Sequence, residues 1–237
     1  MAHLVEVRPE TPTASTLVLE VAGWPGHLAG QHVDVRLTAE DGYVAERAYS
    51  LAAPADGERI ELTVQVVGDG EVSPFLGGGL APGEPLEVRG PLGGWFVWRP
   101  EDPSPVLLVA GGAGIVPLMA MVRTRRALGS RVPFRLVYSV RTPSDVYYAA
   151  ELRRPQPVDA GLDVTILHTR EAPPGGRPPR RVRPEDLAAH GWPPDFLPLC
   201  FVCGPTGFVE SMADALVALG HDPARIRTER FGPTGGT

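Results

Sequence analysis

The sequence contains no lysine; all 22 basic residues are arginine. It has only two cysteines, and its longest apolar runs, such as Val106-Leu107-Leu108-Val109-Ala110, are of strand length. The missing lysine is read as a coding bias and assigns no chemistry. Two thiols cannot hold an iron–sulfur cluster of the four-thiolate kind. Cys200 and Cys203 have the C-x-x-C spacing of a metal or redox pair. They lie, however, in the apolar run Leu199-Cys200-Phe201-Val202-Cys203, which reads as a strand. Residues three apart on a strand point to opposite faces, so these thiols are not expected to share a metal or a disulfide. No stretch approaches the ~20 apolar residues that span a bilayer. The first residues, MAHLVEVRPETP, carry early charges and no long apolar core. A signal peptide and a membrane span are therefore not expected, and the cytoplasm is the expected location. The formal net charge is −6, unevenly placed. Residues 1–100 hold 6 Arg against 14 Asp and Glu, and residues 101–237 hold 16 Arg against 14. A mildly basic second half suits a small anionic ligand better than a nucleic acid, which is not expected as a partner.

What is present is ample for a core: 43% of the 237 residues are apolar. The length allows one large domain or two small ones. The 28 glycines and 27 prolines fall between apolar runs and read as turns. In the first hundred residues, Val5–Val7, Thr16–Val21, His32–Leu37, Arg47–Leu51, Ile60–Val66 and Pro85–Val88 are short, β-branched and partly alternating. That is the pattern of an antiparallel barrel or sandwich. A short helix fits Val72–Leu80. After the proline-rich linker Arg99–Pro105 the rhythm changes. Strands are predicted at Val106–Ala110, Phe134–Val140, Leu162–Thr169, Leu199–Cys203 and Ile226–Phe231. Helices are predicted at Ile115–Leu128, Asp145–Leu152 and Thr206–Leu219. Apolar strands alternating with helices imply a parallel sheet covered on both faces. Residues 171–183 read as a Pro- and Arg-rich solvated loop, and no internal repeat is evident.

Three features carry chemistry. The run LLVAGGAGIVP at 107–117 has a strand, a glycine turn and a helix start in the right order. Gly111, Gly112 and Gly114 let backbone amides approach a ligand, and a helix starting near Ile115 points its positive end at a pyrophosphate. Pro117 suits the first helical turn, in the place where G-x-G-x-x-G has its last glycine. Cys203-Gly204-Pro205 ends the fourth strand of the parallel sheet, where ligands bind in open sheets. Arg47-Ala48-Tyr49-Ser50 offers a phosphate partner, an aromatic surface and a hydroxyl within one strand. Each feature alone is also consistent with plain packing or a tight turn.

Their order is more specific. R-x-Y-S at 47–50, G-x-x-S at 70–73, G-P-x-G at 90–93, GGxGIxP at 111–117, C-G-P at 203–205 and E-x-F at 229–231 occur in sequence. This pattern, over about residues 4–232, resembles the ferredoxin–NADP reductase family, especially its small bacterial members. The resemblance implies an antiparallel Greek-key β-barrel over 1–100 that binds FAD, then an α/β domain with a five-stranded parallel sheet over 101–237 that binds the nicotinamide nucleotide. It implies that Arg47 binds the flavin pyrophosphate, Tyr49 packs on the flavin ring, Ser50 hydrogen-bonds near flavin N5, and Ala48 belongs to the same cofactor-binding stretch. Val64, Gln65 and Val66 would line the flavin, and Gly70, Glu71, Val72 and Ser73 would hold its diphosphate. Gly112, Gly114, Ile115 and Pro117 match the nucleotide-phosphate turn. Cys203, with Gly204 and Pro205, matches the segment near the nicotinamide. Glu229 matches an acid that aids proton handling, and Phe231 would lie near the flavin face. Thr169-Arg170, with Ser139 and Arg141, resembles a 2′-phosphate site, so NADPH is favoured over NADH.

The implied activity is hydride transfer from NADPH or NADH to FAD, with Ser50, Cys203 and Glu229 at the chemistry. Electrons would then pass to a separate acceptor such as a ferredoxin, an oxygenase component or a haem protein. The alternatives are a reductase of free flavin or small molecules on the same fold, and a non-catalytic nucleotide-binding regulatory module. No metal site is expected. The C-x₄-C-x₂-C pattern of a plant-type cluster is missing, and Phe231 is followed by Gly-Pro-Thr-Gly-Gly-Thr instead of ending the chain.

Overall fold

The computed structural model describes residues 1–38, 42–68, 70, 72–153 and 160–232. Its first half contains β1 (Ala2–Thr11), β2 (Ala14–Val21), β3 (His32–Thr38), β4 (Val44–Ser50), β5 (Arg59–Gln65) and β6 (Pro85–Leu92). These form a six-stranded sheet of order β4-β3-β6-β1-β2-β5. Every pairing is antiparallel. A bridge from Leu51 to Leu62 joins the outer strands and closes the barrel. Insertion of β6 between β1 and β3 is the Greek-key crossing.

The alternation of strand side chains decides what faces where. Leu17, Leu19, Leu62 and Val64 point into the barrel core. Thr16 and Thr63, opposite each other in the β2–β5 register, point the other way yet are buried. They are covered by the second half of the chain.

After residue 105 the elements are β7 (Val106–Gly111), α2 (Ile115–Ala127), β8 (Phe134–Val140), α3 (Ala149–Leu152), β9 (Leu162–His168), α4 (Pro184–His190), β10 (Leu199–Pro205), α5 (Thr206–Ala218) and β11 (Ile226–Phe231). The strands form a five-stranded parallel sheet of order β11-β10-β7-β8-β9. Leu107, Val109, Cys200 and Val202 pack on one face, and Val106, Leu108, Phe201 and Cys203 on the other. The two cysteines thus lie in different layers, as the strand spacing implied, and both are free thiols.

The second layer extends into the barrel side through Ala14, Ala29, Ala52, Phe96 and Trp98. Trp98 meets Phe134 edge-on at 5.0 Å, and Phe96 meets Phe201 at 5.3 Å. The two halves therefore share one apolar seam.

Three local expectations differ. The segment Val72–Leu80 is helical but not uniform: α1 (Val72–Pro74) runs into a π-helical turn at Phe75–Gly79. The helix expected at Asp145–Leu152 is instead a 3₁₀ turn at Pro143–Asp145 followed by the single turn α3. Its continuity is broken by Tyr148, whose φ of 55° and ψ of 31° are left-handed. Helix α4 follows the Pro- and Arg-rich loop without having been expected. Pro184 opens it, and Asp186 accepts from the Arg183 N–H at 2.9 Å. No helix among the described residues is long and apolar enough to cross a membrane.

Candidate active site

A cleft of about 870 Å³ lies between the barrel and the parallel sheet. On the barrel side it is walled by Arg47, Ala48, Tyr49 and Ser50 of β4, by Thr63 and Gln65 of β5, and by Gly70, Val72 and Ser73. On the other side stand Ala113 and Val116 at the start of α2, with Glu229 and Phe231 at the end of β11. Two sequence segments that lie far apart thus meet across one space.

The electrostatics of that space are uneven. Ser50 Oγ and Glu229 Oε2 are buried and have no hydrogen-bond partner. Both residues line the cleft, where a bound ligand would complete them. Burial pushes the Glu229 carboxyl up to about 7. Burial also raises the Tyr49 phenol to about 12, against the opposing pull of Arg47, so the ring stays neutral. Tyr49 packs on the barrel core and presents a fixed aromatic surface. Arg47 donates to the Glu46 carbonyl at 2.7 Å, which anchors the guanidinium at the rim.

The parallel sheet supplies the second feature. The chain runs outward from β7 to β8 and β9, then returns to β10 on the other side of β7. This reversal opens a crevice at the carboxyl ends of β7 and β10. The glycine turn follows β7 there, and Cys203-Gly204-Pro205 follows along β10. Gly112 has a φ of +53°, which disfavours a side chain. At Gly114 an added Cβ would lie 2.1 Å from the Cys203 carbonyl oxygen. The close approach at Gly114 is therefore made by β10 backbone. Ile115 and Pro117 are buried in the helix base; Ala113 and Val116 are the residues of this turn that reach the cleft.

Cys203 has no exposed surface and shares its core layer with Phe231. Burial, reinforced by the neighbouring Glu229 charge, raises its thiol well above the usual cysteine range. Ser139, Arg141, Thr169 and Arg170 stand outside the cleft wall, at the carboxyl ends of β8 and β9. Their loops are tied together: Thr169 N–H donates to Val140 O at 2.9 Å and Arg170 N–H to Arg141 O at 2.9 Å. Arg141 and Arg170 are exposed. By contrast, Arg177 and Arg180 close on Asp186, with oxygens at 3.0 and 2.8 Å. Burial alone would raise the Asp186 carboxyl, but bonds from Arg180 and the Arg183 N–H, with both Arg charges, hold it below the usual range.

Some expected residues fall elsewhere. Val64 points into the barrel core and Val66 is exposed at its end, leaving Gln65 on the cleft. Glu71 lies outside the described residues. Among residues not expected, His32, Thr63, Ala113, Val116 and Arg230 line the cleft. His32 faces Ser50 across the β3–β4 ladder, a placement that only the strand pairing reveals. Ala113 and Val116 sit inside the glycine motif and were within reach of sequence reasoning. Among the described residues, no group of three or more His, Cys, Asp or Glu converges as a metal site.

Comparison with known proteins agrees with this architecture. Residues 17–97 match the oxidoreductase FAD-binding domain, and residues 108–214 match the oxidoreductase NAD-binding domain. The glycine betaine monooxygenase reductase subunit of Pseudomonas aeruginosa is 33% identical over 212 residues, 86% of this chain and 56% of that protein. Ferredoxin–NADP reductase B of Sorangium cellulosum is 38% identical over 154 residues, 64% of this chain and 62% of that protein. The crystal structure of an Amycolatopsis cytochrome P450 reductase superposes with a TM-score of 0.86 at 27% identity, covering 99% of this chain and 70% of that one. The flavohem-like FAD/NAD-binding domain of a Vibrio cholerae nitric oxide dioxygenase superposes with a TM-score of 0.85 at 25% identity, covering 98% of each chain. The class defined by fold and cleft is thus an oxidoreductase pairing a flavin-binding barrel with a nucleotide-binding sheet. The chain carries an oxidoreductase FAD-binding domain followed by an oxidoreductase NAD-binding domain, and it is similar to ferredoxin–NADP reductases. It spans 56–62% of the length of the two curated relatives just described.

Proposed function

We propose that this chain takes a hydride from NADPH onto bound FAD and hands the electrons to a separate redox protein, such as a ferredoxin, an oxygenase component or a haem protein. Residues 1–100 form the flavin unit in this reading and residues 101–237 the nucleotide unit. The observation that carries it is the interdomain cleft, where Arg47, Tyr49 and Ser50 face Glu229 and Phe231 and two buried polar atoms await partners. Its volume of about 870 Å³ suits a cofactor ring system with part of its tail. That relatives are reductase subunits of monooxygenases and ferredoxin reductases supports the acceptor class.

FAD, when bound, supplies the hydride acceptor and the electron store. The side chains bind and orient. Arg47 meets the flavin pyrophosphate as a charged fork, aided by backbone at Gly70, Val72 and Ser73. Tyr49 offers its ring, and Ser50 Oγ donates its free hydrogen bond at the ring edge. Glu229, with a carboxyl near 7, holds a proton below neutrality and releases it above. Cys203 stays a buried thiol in the layer beneath the end of β10 and acts through packing, not through contact with the nicotinamide. The turn at Gly112–Pro117 receives the nucleotide pyrophosphate. Arg170 and Arg141, with Thr169 and Ser139, bind the 2′-phosphate and favour NADPH over NADH. Orientation of this kind can supply ~7–11 kcal/mol of a barrier without a strong acid or base.

The test is the visible spectrum of the purified protein before and after anaerobic addition of NADPH or NADH. A flavin spectrum that bleaches faster with NADPH supports both the reductase and the 2′-phosphate assignment. Faster bleaching with NADH discards that assignment and keeps the enzyme. A colourless protein that takes up neither FAD nor FMN sinks the reading.

A further inference from the structure

One buried polar ring crosses the seam between the two halves. Thr63, which lines the cleft, has its hydroxyl 2.5 Å from the Tyr148 hydroxyl and 2.8 Å from Thr16 Oγ1. Thr16 in turn donates to Glu10 Oε1 at 2.7 Å. The other Glu10 oxygen accepts from the Tyr148 backbone N–H at 3.2 Å. A hydroxyl has one proton to give, so the directions are forced. Thr16 gives its proton to the carboxylate and must accept from Thr63. Thr63 must then accept from Tyr148. The chain of donors runs one way, from the second half of the molecule into the cleft wall.

Tyr148 is held in this ring by backbone and side chain together. Its left-handed conformation is rare for an aromatic residue and persists where surroundings over-determine it. Its ring lies under Arg123, whose guanidinium carbon is 4.6 Å from the centroid. Arg123 belongs to α2, the helix that starts at the glycine turn. It donates to the Ala52 carbonyl at 2.8 Å and to Glu61 Oε2 at 3.1 Å. Ala52 lies two residues after Ser50, and Glu61 two residues before Thr63. The nucleotide-side helix and Tyr148 together grip both strands of the cleft wall.

We infer that Tyr148, acting through Thr63, is a positioning residue for hydride transfer: it fixes the flavin-side wall of the cleft against the glycine turn and the end of β10. The inference rests on the reductase reading above. The apolar seam around Phe96, Trp98, Phe134 and Phe201 holds the halves together. Its contacts tolerate small shifts more readily than hydrogen bonds do, which need a narrow range of distance and angle. The hydrogen-bonded ring is directional and sets the register. Hydride transfer depends steeply on that register, since a misplacement of about 1 Å can cost about 100-fold in rate.

The experiment compares the flavin-loaded wild type with Tyr148→Phe, Thr63→Val and the double variant. Tyr148→Phe removes one oxygen and keeps the ring under Arg123. Four readouts are taken: the thermal midpoint, the dissociation constant for NADP⁺, the long-wavelength absorption that arises where nicotinamide and reduced flavin overlap, and the anaerobic reduction rate with NADPH. Each single variant is expected to lower the midpoint by a few degrees and to keep the dissociation constant close to wild type. Each is expected to weaken the overlap band and to slow reduction by roughly 10- to 100-fold. The double variant should be no slower than the singles, because both remove the same bond. An unchanged band and rate in Tyr148→Phe overturns the inference. So does a rate loss that merely tracks the midpoint or the dissociation constant, or additive losses in the double variant. A wild-type protein that takes up no flavin overturns the reductase reading, and this inference with it.

Discussion

Replacing Glu229 by glutamine tests the cleft without any cofactor. In the folded protein, burial raises this carboxyl from an ordinary 4.5 to about 7. The folded state therefore keeps its proton up to about pH 7, whereas the unfolded chain releases it near 4.5. Ionisation then opposes folding. Stability is highest below the unfolded value, falls as pH rises through that window, and is flat above it. The shift corresponds to about 3 kcal/mol at 1.36 kcal/mol per pH unit; partial exposure of the side chain to cleft water brings it to about 2 kcal/mol. Glutamine resembles the protonated acid and has no charge to bury. Flavin-free Glu229→Gln should match the wild type near pH 4.5 and exceed it at pH 8 by about 4–8 °C in thermal midpoint. The assay is thermal unfolding of both proteins at half-unit steps from pH 4.5 to 8.5. A difference that does not change with pH, or a wild type that gains on the variant as pH rises, would refute the argument. Either result would mean that Glu229 reaches bulk solvent and that the orphaned oxygen is no sign of a ligand.

Arg170→Ala should weaken NADPH binding by roughly 10- to 150-fold, the equivalent of a lost charge-assisted bond, and leave NADH unchanged in an equilibrium titration; equal losses for both nucleotides would remove Arg170 from the 2′-phosphate site. Gly114→Ala forces a Cβ to within 2.1 Å of the Cys203 carbonyl oxygen. The start of α2 and the end of β10 must then separate, at about 1–3 kcal/mol and a fall of about 2–12 °C in thermal midpoint; a melting curve that matches the wild type would show that this turn yields freely.

The parts that sequence reasoning reached are those decided within a few residues. A strand covered on both faces must be apolar throughout, and Val106–Ala110 shows that rule directly, with every side chain buried. Phe134–Val140 and Ile226–Phe231 have the bounds that the sequence predicts. The opposite placement of Cys200 and Cys203 follows from strand geometry alone. The Arg47–Ser50 stretch reaches the cleft because one strand presents it. Other features are decided by distant residues. Tyr148 leaves the helical region because its N–H is taken by Glu10, 138 positions earlier, and its hydroxyl by Thr63, 85 positions earlier. Local propensity at 145–152 favours a helix and carries no trace of those partners. His32 becomes part of the cleft because β3 pairs with β4 in one register, and a shift of one residue would turn it away. Gly114 shows the same limit from the other side. A glycine after a strand reads as room for a phosphate, yet the atom nearest its missing side chain is a carbonyl of β10, a neighbour that only the sheet order β10-β7 supplies. The motif glycine thus serves the crevice indirectly. It lets the two strand ends close together, and that closure puts Ala113 and Val116 where a ligand would meet them.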